Sequence, residues 1–144
     1  MSIARAISIR QPFVEQIPRG TKTIECRSRL TNIRERVYLY AGLRPADDPE
    51  EWESLGKRPG DLPTGMIVGT VEIADCHFNK RTGLFEYALR FPKRLRAHLE
   101  PRNQPQPGFW RPVFRSWQCN EFRGTGQSTA LPNRTSGVRR TSST

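Results

Sequence analysis

Lys22, Glu25 and Arg27 fall within six residues of one another, in the stretch Gly20-Thr21-Lys22-Thr23-Ile24-Glu25-Cys26-Arg27. An ammonium, a carboxylate and a guanidinium at this spacing can hold an anionic or polar planar ligand, such as a phosphate or a base. If Thr23 to Arg27 is extended, Thr23, Glu25 and Arg27 share one face, and Ile24 and Cys26 the other. Glu25 and Arg27 can then pair, which fixes the guanidinium fork in one orientation. Lys22 stands at the turn where the strand begins, a point charge for a phosphate or, if desolvated, a base. The same pattern also describes an exposed strand edge carrying solvated charges, and spacing alone favours that simpler account.

Other residues can join such a site. Ser8 and Arg10 lie on the wet side of an alternating stretch, and Gln11, ahead of Pro12, can read a base or sugar edge. Glu72 shares a strand face with Val68 and Thr70. Apolar neighbours disfavour an ionised carboxylate, which makes Glu72 a candidate acid or base, although pairing with an arginine is the commoner role. Tyr38 and Tyr40 share a strand face, and Trp110 can stack on a base; aromatic residues in such segments more often belong to a core. The run Lys93 to Arg96 can extend a phosphate-binding surface or simply be solvated. No Ser/His/Asp or Cys/His arrangement stands out, and neither His77 nor His98 has a recognisable catalytic context. Cys26, Cys76 and Cys119 are odd in number and far apart, without a Cys-x-x-Cys pair. They read as reduced residues, with Cys26 and Cys76 partly buried, and neither a structural metal nor a cofactor is expected.

The elements that must position these groups are short and mostly extended. Ala6 to Arg10 alternates as a first strand, with Ile7 and Ile9 on one face. Pro12 opens a helix, where its missing N–H costs nothing, with Phe13, Val14 and Ile17 as the apolar stripe. Pro18 and Gly20 end it early. A loop over Arg29 to Glu35 leads into a strand at Val37–Ala41. Asp47 to Gly56 carries an Asp cap, a proline in the first turn, acids near the positive end of the dipole and a closing glycine, with Trp52 and Leu55 as anchors. Met66 to Asp75 is the most apolar strand. Phe85, Tyr87, Leu89 and Phe91 alternate with polar or small residues, so their strand has one core face and one wet face. His77 to Gly83 reads as a polar hairpin connection, Pro92 to Pro107 as a basic, proline-rich connection, and Phe109 to Val113 as a closing segment. Strands with few, short helices argue for an α+β, mainly β domain built as a small barrel, rather than a doubly wound sheet.

The chain has 144 residues and a net charge of +10, from 24 basic and 14 acidic residues. That is one domain, long enough to bury a core without metal or disulfide staples. Residues 1–114 hold 19 basic and 13 acidic residues. The domain is therefore itself basic and suits polyanionic partners. Residues 115–144 are rich in Ser, Thr, Gly and Arg and too poor in apolar residues to offset the entropy of ordering, so they read as a disordered basic tail. Trp117 and Phe122 could pack back locally. The first ten residues are too polar for a signal peptide and no long apolar run occurs, so a monomer in the cytoplasm, away from membranes, is the default expectation.

Five ordered segments together carry a resemblance. Ser8-Ile9-Arg10-Gln11-Pro12 and Gly20-x-Lys22-x-x-Glu25-x-Arg27 are followed by Val37-Tyr38-Leu39-Tyr40-Ala41, Gly65–Ile73 and Pro105–Pro112. In this order they resemble the ASCH family, relatives of the PUA domain, over roughly residues 3–114. The resemblance implies a PUA-like small β-barrel flanked by short helices, with the Gly-x-Lys-x-x-Glu-x-Arg motif lining a cleft. It makes Ser8, Arg10, Gln11, Lys22, Glu25, Arg27 and Tyr40 the expected ligand-binding residues, and an RNA- or nucleotide-binding module the expected function. The first alternative is a hydrolase of RNA or of an acylated nucleoside, with Lys22 and Glu72 as catalytic groups. Family members that hydrolyse acylated cytidine resemble this chain but use a Thr three residues after the motif lysine, a position held here by Glu25. An RNA-cleaving version would need Lys22, Arg27 and a hydroxyl such as Ser8, Tyr38 or Tyr40. The second alternative is a protein-interaction adaptor.

Overall fold

The computed structural model describes residues 2–114. The expected disordered tail over 115–144, with Cys119, Trp117 and Phe122, lies outside the described residues. Six strands form one sheet: β1 (Ala6–Ile9), β2 (Ile24–Arg27), β3 (Arg36–Ala41), β4 (Met66–Asn79), β5 (Leu84–Leu99) and β6 (Phe109–Trp110). Two short helices, α1 (Phe13–Gln16) and α2 (Pro49–Leu55), complete the elements. The fold is thus mainly β with few, short helices. The strand order is β2-β5-β4-β3-β1-β6, and of the paired neighbours β1 and β3 run parallel while the others are antiparallel.

The core follows from alternation on β1, but on β4 the alternation breaks, and Val68 and Val71, three residues apart, both join the core where the register shifts. Ile7 and Ile9 of β1, Val37, Leu39 and Ala41 of β3, Val68, Val71 and Ile73 of β4, and Tyr87 and Leu89 of β5 meet in one buried cluster, which Val14 and Ile17 close from the α1 side. Fully burying each aliphatic side chain stabilises the fold by about 1.5–3 kcal/mol. α2 is built as its sequence reads: Asp48 caps the N-terminus by accepting from the Glu51 N–H, Pro49 opens the first turn, and Gly56 at φ 67° ends the helix. Trp52 is the buried anchor and donates from Nε1 to the Ala46 carbonyl at 2.9 Å, whereas Leu55 is only half-buried. α1 stops at Gln16, as Pro18 requires. Pro12 stands just outside it, after a cis Gln11–Pro12 peptide bond, not at its first helical position.

Two readings along β5 need correction. The strand does not end before Pro92: it runs through the proline to Leu99, with shifts in its register against β4 that absorb the missing donor. The alternation also fails at Phe91, which has φ +54° and is 65% exposed. The Arg36 guanidinium fixes this irregular stretch, donating to the Phe91 carbonyl at 2.7 Å and to Thr70 Oγ1 at 2.8 Å. Gly69 is required opposite it, because a Cβ there would stand 2.6 Å from the Lys93 carbonyl oxygen.

The sheet does not close into the expected barrel by a continuous ladder. Among the described residues β2 and β6 are the sheet's two edges and do not pair with each other. The sheet nevertheless curls until β2 meets β1, near the opposite edge. Arg27 Nη2 on β2 donates to the Ser8 carbonyl on β1 at 2.7 Å. Tyr87 on β5 and Phe109 on β6 stack across the same seam, with ring centroids 5.9 Å apart and planes 20° apart. Side chains, not backbone pairs, bridge the seam.

A buried carboxylate ties α1 to β5. Glu15 accepts a two-pronged bond from Arg94 at 2.9 and 3.1 Å and a further bond from Arg19 Nε at 2.7 Å. Arg94 is therefore committed to this pair instead of forming part of a free phosphate-binding run. Burial alone would raise the Glu15 pKa, but the two guanidiniums outweigh it and hold the carboxyl below its ordinary value of 4.5. A depressed carboxyl contributes stability that is present above its unfolded pKa and fades as pH falls through the folded one. Glu15→Gln should therefore cost about 1–3 kcal/mol at neutral pH. In thermal melts from pH 7 to pH 2, its deficit against the wild type should shrink below about pH 4.5. A deficit of constant size down to pH 2 would contradict this account.

Candidate functional site

The seam opens into a cleft of about 590 Å³. One wall comes from the end of β1 (Ser8 to Arg10), another from Lys22 and the β2 residues Glu25 to Arg27, a third from Tyr40 and Gly42 to Arg44, and the last from Pro105 to Gly108. Arg10, Lys22, Arg27 and Arg44 face it against the single carboxylate of Glu25. The electrostatic character is therefore cationic, which suits an anionic ligand.

Strand β2 is extended as the sequence implies, but its faces are exchanged in exposure. Glu25 is only 8% exposed, whereas Ile24 is 41% exposed and Cys26 is also exposed. The charged face turns inward because β2 is an edge strand whose inner side looks across the seam at β1. Cys26 therefore corrects the expectation of a partly buried thiol, while Cys76 is half-buried against the core.

Glu25 is the centre of the site. Its Oε2 accepts from Arg27 Nε at 2.6 Å, and its Oε1 lies 3.2 Å from Lys22 Nζ. A buried carboxylate is costly unless paired and hydrogen-bonded, and here two cations satisfy it. With Arg27 also bonded to the Ser8 carbonyl, the guanidinium is held at two points. Lys22 is fixed from behind: its amide, together with that of Thr21, bonds the Gln16 carbonyl at 3.1 Å, directly after the Pro18–Gly20 turn. Its ammonium also lies 5.6 Å from the Phe13 ring centroid, within cation–π range. An ammonium has three donors, so pairing with one carboxylate leaves capacity for a ligand oxygen.

The other sequence-nominated residues divide clearly. Ser8, Arg10 and Tyr40 reach the cleft. The Ser8 hydroxyl is occupied, donating to the Gln106 carbonyl and accepting from Trp110 Nε1, each at 2.8 Å. Tyr40 is buried edge-on to Trp110, with centroids 5.1 Å apart. Burial, with a smaller effect from Glu100, raises its pKa, so its hydroxyl stays protonated at neutral pH. Trp110 is 6% exposed and packs as core.

Gln11 and Glu72 do not join the cleft. Gln11 is 1% exposed; its amide donates to the Pro63 carbonyl at 2.9 Å and its oxygen accepts the Glu15 N–H at 3.2 Å. It is a buried brace, with both its amide nitrogen and its oxygen engaged by the fold. Glu72 lies on β4 at the rungs of Arg36 and Arg90, in the middle of the sheet and away from the cleft walls. His77 Nε2 faces Glu86 at 3.0 Å, and no group of three or more His, Cys, Asp or Glu residues converges as a metal site among the described residues.

The sequence reading missed Phe13 as a platform under Lys22, Leu43 and Arg44, and the wall from Pro105 to Gly108. That wall is pinned to β1 by the Ser8 N–H bond to Gly108 O at 3.1 Å and by the Ser8 hydroxyl. Nothing periodic links residues almost one hundred positions apart, so only the resemblance of Pro105–Pro112 pointed to them.

Comparison with known proteins agrees with the family resemblance. The family model described as the ASCH domain matches residues 7–103. The chain is 34% identical over 87 residues to activating signal cointegrator 1 of Mus musculus, covering 52% of this chain and 15% of that protein. It is 38% identical over 72 residues to queuine tRNA-ribosyltransferase of Deinococcus radiodurans, covering 49% of this chain and 18% of that one. The chain thus spans less than a fifth of these relatives. The crystal structure of ASCH from Zymomonas mobilis superposes with a TM-score of 0.52 at 14% identity, covering 83% of this chain and 92% of the other, a likeness of fold.

A prediction separates brace from ligand contact. Gln11→Ala takes the donor from the Pro63 carbonyl and leaves the Glu15 N–H only its bond to the Pro12 carbonyl at 3.1 Å, and should cost about 1–3 kcal/mol of stability in denaturant unfolding. Ligand affinity of the folded variant should stay within about twofold of the wild type. A loss of affinity with stability retained would return Gln11 to the site.

Proposed function

The chain belongs to the ASCH domain family, and from that premise we propose that its cleft is a recognition site for single-stranded RNA or a nucleotide. One observation carries the reading: Lys22 and Arg27 are held by a buried Glu25 at the mouth of a cleft in which four cations face one carboxylate. A phosphate sits between Lys22 Nζ and the Arg27 guanidinium, and a base or sugar lies against Phe13, Tyr40 and Leu43. Glu25 acts as a positioning residue, since it holds both cations without itself facing an anion favourably. The Deinococcus relative is named for a tRNA substrate, which agrees with RNA as the ligand class.

Recognition is favoured over turnover by the state of the cleft's polar groups. The position three residues after Lys22 holds a carboxylate engaged by two cations. The Ser8 hydroxyl already has two partners, and Tyr40 is kept protonated. Glu72 is on the sheet away from the cleft. None of these is an activated nucleophile. The cointegrator relative's name fits a protein-binding role, and that adaptor reading gains ground only if RNA fails to bind.

The test is binding of short single-stranded RNA at two salt concentrations. Phosphate-driven affinity should fall steeply as salt rises. Lys22→Ala should weaken binding by about tenfold or more and make the salt dependence shallower by about one unit of log–log slope. Glu72→Ala should bind like the wild type. Wild-type affinity in Lys22→Ala, or affinity insensitive to salt, would sink the proposal; product formed only when Lys22 is present would replace recognition with hydrolysis.

A further inference from the structure

A second cavity of about 500 Å³ adjoins the first, and Arg27, Pro107 and Gly108 line both. Its remaining walls are the loop Ser28 to Thr31 and the stacked rings of Tyr87 and Phe109. This loop is a built feature: the Tyr87 hydroxyl donates to the Arg29 carbonyl at 2.7 Å, and Thr31 Oγ1 accepts the Ile33 N–H at 3.1 Å. Those bonds leave the Arg29 and Leu30 side chains outside the core, and Leu30 is 58% exposed. No carboxylate lines the cavity. Two arginines, an exposed aliphatic side chain and an aromatic wall suit a planar base attached to a phosphate.

The wall between the cavities is the decisive feature. A guanidinium has five N–H donors, and Arg27 commits one to Glu25 and one to the Ser8 carbonyl. The other three make no hydrogen bond among the described residues and can serve an oxyanion at the boundary. We propose that the second cavity seats the adjoining nucleotide of a single-stranded RNA, with Arg27 on the phosphate that joins the two. This rests on the cleft being a nucleotide site. It adds that the ligand is at least a dinucleotide read on both sides of one arginine, and that the loop Ser28–Thr31 supplies the second seat.

The test compares a nucleoside 5′-monophosphate with the matching 5′-phosphorylated dinucleotide by calorimetry, using the full chain, Leu30→Asp and Arg29→Ala. Both variants alter exposed side chains, and the Tyr87 bond goes to the backbone, so the loop stays anchored. The dinucleotide should bind the wild type about tenfold or more tightly than the mononucleotide. Leu30→Asp should erase that gain and Arg29→Ala reduce it, while mononucleotide affinity stays within about twofold. Equal affinity for the two ligands would overturn the second seat while leaving the first intact. A dinucleotide gain untouched by either substitution would overturn its placement at this loop. Failure of both ligands to bind would remove the cleft reading itself, and the second seat with it.

Discussion

The bond from Arg27 on β2 to the Ser8 carbonyl on β1 joins two strands that lie near opposite ends of the sheet. Much of the site's geometry depends on it. A curled sheet whose edges do not pair leaves backbone groups and a gap at the seam, and unpaired edges are normally a liability. Here the gap is bridged by a guanidinium that is itself clamped by a buried carboxylate. The arrangement closes the fold at one point and leaves room beside it. The cleft is that room, so what nearly makes the sheet a barrel and what shapes the proposed binding site are the same contacts.

Glu15 and Glu25 form an instructive pair. Each is a buried carboxylate satisfied by two cations, Arg94 and Arg19 in one case, Lys22 and Arg27 in the other. Isolated, either charge would be too costly to bury. The difference lies in where the cations face. Arg94 spends both prongs on Glu15 and so fastens β5 to α1. Lys22 and Arg27 keep donors on the cleft side, so their carboxylate orients them for something else. The same chemistry serves as a rivet in one place and as a mount in the other.

The second cavity extends this logic along the seam. Tyr87 contributes to the core, stacks on Phe109 across the seam and holds the Ser28–Thr31 loop through its hydroxyl. One buried aromatic residue therefore links the hydrophobic centre to the surface loop that follows the motif. Rigid support of this kind matters for recognition, because a preformed site loses less entropy on binding than a loose one.

The sequence by itself determined the local facts. Alternation placed Ile7 and Ile9 on one face, the Asp48–Pro49–Gly56 punctuation bounded α2, Pro18 stopped α1, and the two-residue spacing of Glu25 and Arg27 put them on one face as a pair. Each of these depends on neighbours within a turn or a strand repeat, where covalent geometry dictates the outcome. Only the tertiary structure decided which side of β2 is buried, since an edge strand's inner face is set by what lies across the seam. The same reason explains why Gln11 became a brace, why Glu72 stayed on the sheet, and why β5 passed through Pro92. It also explains why Pro105–Gly108 became a wall of the cleft: contacts between residues far apart in the chain leave no period or spacing to read, and arise only when the sheet curls.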